Sequence, residues 1–264
     1  MYDFNYQRAS SLDDAKSKFS GADDARYMAG GMTLLPVLKQ RLDQPSDVVD
    51  LGFLDDLKGI SEDGGNLVIK AMSVHHAVNT SDTVKSKIPA LAHLAGTIGD
   101  PMVRNRGTIG GSLANNDPAA SYPSAVLALN ATVHTDSRTI AADDFFTGMF
   151  DTALNEGELI TSVSFPIPEK AGYCHFPNPA SRYPIVGVFV AKTADGPRVA
   201  VTGAGACVFR VPEMEQALAS NWSADAVANV KCSADGLNED IHASPEYRAH
   251  LITVMAKRAI EAAG

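Results

Sequence analysis

Apolar and polar residues in the first 56 positions alternate in a way that predicts short strands separated by helices. Leu12, Ala15 and Phe19 are spaced three and four residues apart and mark one face of a helix. Ser11, followed three residues later by Asp14, is typical of a capped helix start. This segment therefore predicts a helix that begins directly after Ser11.

Three strands and a second helix complete the amino-terminal pattern. We expect the strands near Asp3, Tyr27 and Val48, and a helix from Thr33 to Leu42 with Pro36 inside its first turn, where proline is tolerated. Strands and helices that alternate in this order predict a βαβαβ unit with ligand contacts at the carboxyl ends of its strands.

From about residue 57 the pattern changes to hairpins and longer buried segments, which indicates a second lobe. The elements predicted in it are a hairpin around Asp63-Gly64-Gly65, a helix from Ile88 to Ile98, a buried segment from Pro123 to Leu129, and strands near Val133 and Val163.

The carboxy-terminal region predicts antiparallel strands followed by helices. Strands over Ile185–Lys192 and Arg198–Gly203 are joined by a turn at residues 194–197. Ser244 before Pro245 is typical of the start of a final helix. We expect lobes at about residues 1–56 and 57–172, and a separate domain at residues 173–264.

Composition narrows the class of protein. The chain has 264 residues, of which 45% are hydrophobic and 20% charged, as in ordinary globular proteins. Its formal net charge of −9 argues against a nucleic-acid or anionic-membrane surface. The amino terminus lacks a signal-peptide pattern, and the longest apolar run, Ile185–Ala191, is too short to span a membrane. We therefore expect a cytoplasmic protein.

The cysteines and histidines do not predict a metal site. Cys174, Cys207 and Cys232 are far apart and form no Cys-x-x-Cys pair. His75 and His76 are adjacent and would point apart in a helix or strand. No metal or iron-sulfur ligand set is expected in this chain.

Two double-glycine segments carry the strongest chemical signal, Ala29-Gly-Gly-Met-Thr33 and Thr108-Ile-Gly-Gly-Ser112. Glycines allow backbone N–H groups to approach a phosphate closely. Either pair alone is more typical of a plain turn, but two such loops can hold one diphosphate from both sides. Arg104-Asn105-Arg106 precedes the second loop and offers positive charge, and the polar cluster Asn115-Asn116-Asp117 after it can hydrogen-bond ribose hydroxyls. A dinucleotide is the ligand that this pattern favours.

These residues, with several further segments in the same order, resemble the medium, FAD-binding subunit of molybdenum hydroxylases, the group that contains carbon monoxide dehydrogenase and bacterial xanthine dehydrogenase. The resemblance extends over the whole chain, through residues 29–36, 104–115, Asp144-Phe-Phe-Thr-Gly-Met149, Gly157-Glu-Leu-Ile160 and His242-Ala-Ser-Pro-Glu-Tyr-Arg248.

The resemblance implies an α+β fold: a two-lobed FAD-binding domain of the vanillyl-alcohol-oxidase-like type, with a small βαβαβ lobe, a larger lobe with a mixed or antiparallel sheet, and a small carboxy-terminal domain of antiparallel strands and helices. It also implies that both glycine loops hold the FAD diphosphate and that Leu159 or Ile160 packs near the flavin. The residues expected to bind FAD are Ala29, Gly30, Gly31, Met32, Thr33, Leu34, Thr108, Ile109, Gly110, Gly111, Ser112, Asn115, Asn116, Asp117, Leu159, Ile160 and His175.

The resemblance further implies an electron-transfer subunit of an oxidoreductase, with FAD bound non-covalently and no catalytic proton-transfer residue in this chain. A molybdenum cofactor is expected in a large partner subunit and [2Fe-2S] clusters in a small one, within a dimer of heterotrimers that reduces an external acceptor. Two positions depart from the family pattern. Ser121 stands where relatives often carry a carboxylate, and His175 stands where they tend to have lysine.

Two other hypotheses remain open from the sequence. A stand-alone flavin oxidase or reductase would need its own substrate pocket in the carboxy-terminal region, which offers no convincing acid–base set. A nucleotide-binding or assembly module without flavin function would be expected to lose one of the glycine loops.

Overall fold

The computed structural model describes residues 1–264 and contains fourteen strands and twelve α-helices. The strands are β1 Asn5–Arg8, β2 Ala25–Met28, β3 Asp47–Asp50, β4 Ile60–Asp63, β5 Asn66–Lys70, β6 Thr132–Thr135, β7 Thr139–Ala141, β8 Phe146–Gly148, β9 Asp151–Thr152, β10 Ile160–Pro166, β11 Lys170–Pro177, β12 Pro184–Thr193, β13 Gly196–Thr202 and β14 Phe209–Arg210. The helices are α1 Leu12–Ser20, α2 Leu34–Lys39, α3 His75–Thr80, α4 Asp82–Lys87, α5 Pro89–Thr97, α6 Pro101–Arg104, α7 Ile109–Asn115, α8 Tyr122–Ala128, α9 Ala142–Phe145, α10 Pro212–Ser220, α11 Ala224–Val227 and α12 Pro245–Ala263.

The amino-terminal lobe is the predicted βαβαβ unit. Its three strands are parallel and lie in the order β1-β3-β2, so β3 is the central strand. The Ser11 hydroxyl accepts a hydrogen bond from the Asp14 N–H (3.1 Å), which confirms the predicted start of α1. A small core that includes Ala15, Val49 and Leu51 joins α1 to the sheet.

Helix α2 ends earlier than the sequence predicts, at Lys39 rather than Leu42. Arg41 adopts a left-handed conformation with φ of 60°. The Leu42 N–H bonds back to the Val37 carbonyl, five residues earlier (3.1 Å). This six-to-one hydrogen bond around a left-handed residue is a common way for a helix to stop.

The second lobe is built on a five-stranded antiparallel sheet in the order β4-β5-β10-β6-β7. The predicted hairpin at Asp63 joins β4 to β5, and Gly64 and Gly65 at its tip both have positive φ, as a tight hairpin turn requires. The predicted helix over residues 88–98 and the buried segment at 123–129 are α5 and α8. Both pack into the largest hydrophobic core of the protein.

The carboxy-terminal region forms a four-stranded antiparallel sheet, β11-β12-β13-β14, against which α12 packs. Helix and sheet approach so closely at Gly172 that a Cβ there would lie 1.9 Å from the Ala259 carbonyl oxygen. Ser244 caps α12 as predicted, since its hydroxyl accepts a hydrogen bond from the Tyr247 N–H. The domain boundary after residue 172 stays a prediction, and this residue lies inside β11.

This third region is tied to the second lobe near the segment 118–121. The Thr202 hydroxyl donates to the Ala120 carbonyl (2.6 Å), and the Gly203 N–H donates to the Pro118 carbonyl (2.8 Å). The buried Arg198 guanidinium donates to the Leu127 carbonyl (2.9 Å). Residues that follow α7 are therefore fixed in position by the carboxy-terminal sheet.

No helix combines the length and the apolar composition needed to cross a membrane.

Candidate functional site

A cleft of about 740 Å³ is lined by residues of all three regions. A large, partly apolar cleft with a few converging polar groups is the usual form of a cofactor site. The predicted site residues that line it are Ala29, Gly30, Gly31, Met32, Thr33, Leu34, Thr108, Gly110, Gly111, Ser112, Asn115, Asp117, Leu159 and Ile160.

The first glycine loop leaves the carboxyl end of β2 and presents free backbone donors. None of the backbone N–H groups from Ala29 through Leu34 makes a hydrogen bond within the chain. Gly31 has a φ of 74°, a conformation that side chains other than glycine rarely adopt. The Thr33 hydroxyl makes no cap with α2 and remains available to the cleft. Consecutive free N–H groups of this kind suit an anion such as a diphosphate.

Gly30 allows the two glycine loops to come into direct contact. A Cβ at this position would lie 1.9 Å from the Arg106 carbonyl oxygen and 2.9 Å from the Gly107 Cα. Both neighbours are backbone atoms that cannot turn away. Only glycine therefore fits where the first loop crosses the segment that leads into the second.

The second glycine loop differs, because its N–H groups are already used. The Ile109 N–H donates to the Ser73 carbonyl (3.1 Å) and the Gly110 N–H to the Ala71 carbonyl (2.9 Å). The Gly111 N–H donates to the Thr108 hydroxyl (3.1 Å), which caps α7. These three N–H groups of the second loop are therefore not free to bind a ligand.

Close packing explains the glycines of the second loop. A Cβ on Gly110 would lie 2.6 Å from the Ala71 Cβ. One on Gly111 would lie 3.0 Å from the Thr108 Oγ1 and 3.4 Å from the Ala29 Cβ. Ile109 is fully buried and does not line the cleft. Gly110 thus brings α7 against β5, while Gly111 faces the first loop.

The polar cluster after α7 separates into two kinds of residue. Asn115 and Asp117 line the cleft, but Asn116 does not. Asn116 is left-handed, with a φ of 41°, and its amide donates to the carbonyls of Gly148 (2.8 Å) and Asp151 (2.7 Å). Asn116 therefore holds the β8–β9 hairpin, and its contact with FAD stays a prediction.

The two positions that depart from the family pattern also differ in placement. Ser121 lines the cleft, and its hydroxyl lies 3.3 Å from the Tyr173 hydroxyl, whose pKa is raised by burial. His175 lies behind Tyr173, with ring centroids 5.5 Å apart, and does not line the cleft. Burial, and then the charge of His93, lower the His175 pKa. His175 therefore does not border the cleft, and its contact with FAD stays a prediction.

The apolar lining of the cleft includes Leu159 and Ile160, and Leu159 shares a hydrophobic cluster with Leu51, Leu57 and Met72. These side chains are buried. Glu158 also lines the cleft, but its carboxylate is bound by Arg138, and this contact holds its pKa far below the usual range. A flat apolar ring system is the chemical group that such a lining accommodates.

The arginines that line the cleft are not the ones that the sequence suggested. The Arg104 guanidinium donates to the carbonyls of Ile98 and Gly99 (3.0 Å each), and neither Arg104 nor Arg106 lines the cleft. Arg26 and Arg182 line it instead. Arg26 lies 2.9 Å from an Asp43 carboxylate oxygen, so its charge is largely compensated.

Sequence reasoning missed several lining residues, notably Tyr27, Met72, His75 and Tyr183. Tyr27 lies in β2, and its position in the strand directly before the first glycine loop was a usable signal. Burial raises the pKa of Tyr27 to about 12 and lowers that of His75 to about 4. Sequence reasoning weighed His75 only as a metal ligand, although it begins a helix shortly after β5.

The fold and the cleft together define a two-lobed protein with a large cleft, one wall of which carries a glycine loop with free backbone N–H groups. A family model described as the FAD binding domain in molybdopterin dehydrogenase matches residues 2–168. The chain belongs to this family.

Relatives and solved structures agree with this assignment. The chain is 37% identical to the nicotine 6-hydroxylase medium subunit of Paenarthrobacter nicotinovorans, over 98% of this chain and 96% of that one. It is 33% identical to the glyceraldehyde dehydrogenase medium chain of Sulfolobus acidocaldarius, over 98% of both. CO dehydrogenase from Oligotropha carboxidovorans has a chain with a TM-score of 0.90 and 30% identity, which covers 99% of this chain and 98% of that one.

These findings confirm the predicted fold class, the resemblance to FAD-binding medium subunits, the cofactor FAD and the oxidoreductase class. The individual FAD contacts stay predictions.

Proposed function

We propose that this chain binds FAD non-covalently in the cleft and serves as the electron-output subunit of a molybdenum hydroxylase. It takes electrons from [2Fe-2S] clusters of a small partner subunit and passes them to an external acceptor. A large partner subunit carries the molybdenum cofactor and oxidises the substrate. The assembly is a cytoplasmic dimer of heterotrimers.

The observation that carries the proposal is the run of six unpaired N–H groups from Ala29 to Leu34. Ala29, Gly30, Gly31 and Leu34 are partly buried, while Met32 and Thr33 are exposed. Donors that are shielded from water and lack partners are costly, so a ligand that supplies acceptors would stabilise this loop. Hydrogen bonds to a charged group are worth about 1.5 to 3 kcal/mol each. Several of them together would hold a diphosphate against the first glycine loop.

The rest of the cleft fits the remaining parts of FAD. Buried apolar side chains around Leu159 suit a planar ring, and Asn115 and Asp117 offer groups for hydroxyls. When bound, the flavin supplies the electron-transfer chemistry. The chain positions it and limits the access of water.

Two features of the cysteines support a non-covalent cofactor and an external electron source. None of Cys174, Cys207 and Cys232 lines the cleft. Their spacing does not match the cysteine sets that hold iron-sulfur clusters. Partner subunits therefore have to supply the clusters, as the medium-subunit names of the relatives suggest.

Purification of the chain from its native host tests this proposal. We expect two further polypeptides, molybdenum and iron to copurify with it, and about one FAD per chain that mild acid releases. Yellow protein that oxidises a substrate without partners would instead support a stand-alone flavoenzyme. Colourless protein with no affinity for FAD would contradict the proposal outright.

A further inference from the structure

One buried polar side chain in the cleft wall has no partner in the chain. His75 is the first residue of α3 and lies beneath the second glycine loop. Its backbone N–H donates to the Gly107 carbonyl (2.9 Å). Its side chain is 4% exposed and forms part of the cleft lining. The Tyr122 ring packs beside it, with ring centroids 5.3 Å apart.

The two ring nitrogens of His75 have different surroundings. Nδ1 is fully buried and makes no hydrogen bond. Nε2 lies on the side of Gly107, so close that a Cβ on that glycine would be 2.6 Å from it. Nε2 is therefore the nitrogen at the junction between the ring and the second loop.

These surroundings decide which nitrogen carries the proton. An N–H group buried without an acceptor is among the rarest features of folded proteins, whereas an unused acceptor is better tolerated. Nδ1 is therefore the bare nitrogen, and Nε2 carries the hydrogen. Burial, and then the nearby Arg104 charge, keep the ring neutral by lowering its pKa to about 4.

The second loop offers a ligand no free backbone donor from residues 109–111. The N–H groups of Ile109, Gly110 and Gly111 are bonded to protein acceptors and cannot reach a ligand. An oxygen of a cofactor lying along this loop would find the His75 Nε2–H beside Gly107.

We propose that His75 is a cofactor-binding residue, whose Nε2–H donates a hydrogen bond to an oxygen of the chain that links the two ring systems of FAD. This inference rests on the proposed binding of FAD in the cleft. It gives the second loop a side-chain donor in place of the backbone donors of the first loop.

Two substitutions separate donation by Nε2 from packing of the ring. The Gln side-chain amide can place its nitrogen near the Nε2 position, whereas the shorter Asn amide reaches only the Nδ1 position. We expect His75→Gln to bind FAD within about threefold of wild type, and His75→Asn to bind about tenfold more weakly, which corresponds to 1.4 kcal/mol. His76→Asn is the matched control, because His76 is exposed and does not line the cleft.

The measurement is the FAD dissociation constant of the purified full-length chain, determined by quenching of flavin fluorescence. Equal affinity in His75→Asn and wild type would overturn the inference. So would an equal loss in both variants, because that result would indicate a packing role alone. Failure of the wild-type chain to bind FAD would instead contradict the proposed function.

Nitrogen-15 NMR of wild-type protein tests the same contact without a substitution. We expect a neutral His75 with its proton on Nε2, and a shift of the Nε2 resonance when FAD is added. Unchanged His75 resonances would overturn the inference.

Discussion

The two double-glycine loops have nearly the same sequence pattern, yet the structure uses their glycines differently. In the first loop, the N–H groups of residues 29–34 have no partner within the chain. In the second, the N–H groups of residues 109–111 are all bonded to protein acceptors. The first loop is therefore built to donate, and the second to pack closely.

The difference follows from the neighbours of each loop. The first loop leaves β2, an edge strand of the small sheet, and none of its N–H groups is directed at a protein acceptor. The second crosses the segment 71–73 after β5, whose carbonyls accept its N–H groups. A Gly-Gly pair in a sequence thus indicates close approach of the backbone, while the tertiary neighbours decide what approaches.

Gly30→Ala should have the largest effect, because it forces apart the contact between the two loops. The new Cβ would lie 1.9 Å from the Arg106 carbonyl oxygen. We expect the free energy of unfolding to fall by about 3 kcal/mol or more, as for severe overpacking, and FAD binding to be lost. Urea unfolding with a flavin titration measures both.

Gly148→Ala is the control, since its Cβ would meet the Asp151 Cβ at an ordinary 3.8 Å. A Gly30→Ala variant as stable as this control would show that the loops do not depend on their contact.

Acid should lower the free energy of unfolding, because the His75 ring is buried as its neutral form beneath the second loop. Its pKa is lowered to about 4 in the folded chain, from 6.5, so the unfolded chain binds more protons between these values. Stability is therefore greatest above pH 6.5 and falls as the pH drops toward 4, by about 3 kcal/mol for this group. Urea unfolding at pH 7 and pH 4 should show this loss in wild type and its absence in His75→Gln. An identical pH dependence in the two proteins would contradict it.

Gly111→Asp tests whether the face of the second loop toward the first loop borders the diphosphate. A side chain here points between Thr108 and Ala29. A carboxylate would repel the diphosphate, and we expect FAD affinity to fall about 100-fold, or 2.7 kcal/mol. Gly111→Asn adds similar bulk without charge and should lose less.

Lys231→Ala, outside the cleft, should bind FAD normally. Equal flavin content in Gly111→Asp and wild type would remove this face of the loop from the site.

Thr33 in the first loop and Thr108 in the second should show the smallest effects, but effects of different kinds. Thr108→Val removes a helix cap and should lower the free energy of unfolding by about 1 kcal/mol. Thr33 makes no cap, so Thr33→Val should change stability by less than about 0.5 kcal/mol and instead weaken FAD binding about fivefold. Thermal unfolding and FAD titration of both variants test this contrast. Similar stability losses in the two would contradict the difference between the loops.

Local sequence signals were sufficient for most elements. Helix α1, helix α12 and the hairpin at Asp63 follow from a cap residue, a proline and a glycine pair, all of which act over a few residues. The end of α2 could not be predicted in the same way. Arg41 adopts the left-handed conformation there although its residue type does not favour it.

Side-chain direction was the part of the site that sequence could not supply. Asn115, Asn116 and Asp117 are equivalent in the sequence, but the left-handed turn at Asn116 aims its amide at residues 148 and 151 and away from the cleft. His175 matched a family position, yet Tyr173 lies between it and Ser121 in the cleft wall. The first outcome depends on residues more than thirty positions away, and the second on the contact between Tyr173 and Ser121 of the second lobe.

The sequence by itself determined the family, the cofactor class and the two loops that border the cleft, because these depend on ordered motifs and on glycines needed for close backbone contacts. The tertiary structure alone decided which N–H groups remain free, and that His75 has one ring nitrogen buried without a partner. The physical reason is that hydrogen-bond satisfaction is a property of pairs of groups. Only the folded chain brings the acceptors of residues 71–73 to the second loop and leaves the first loop without them.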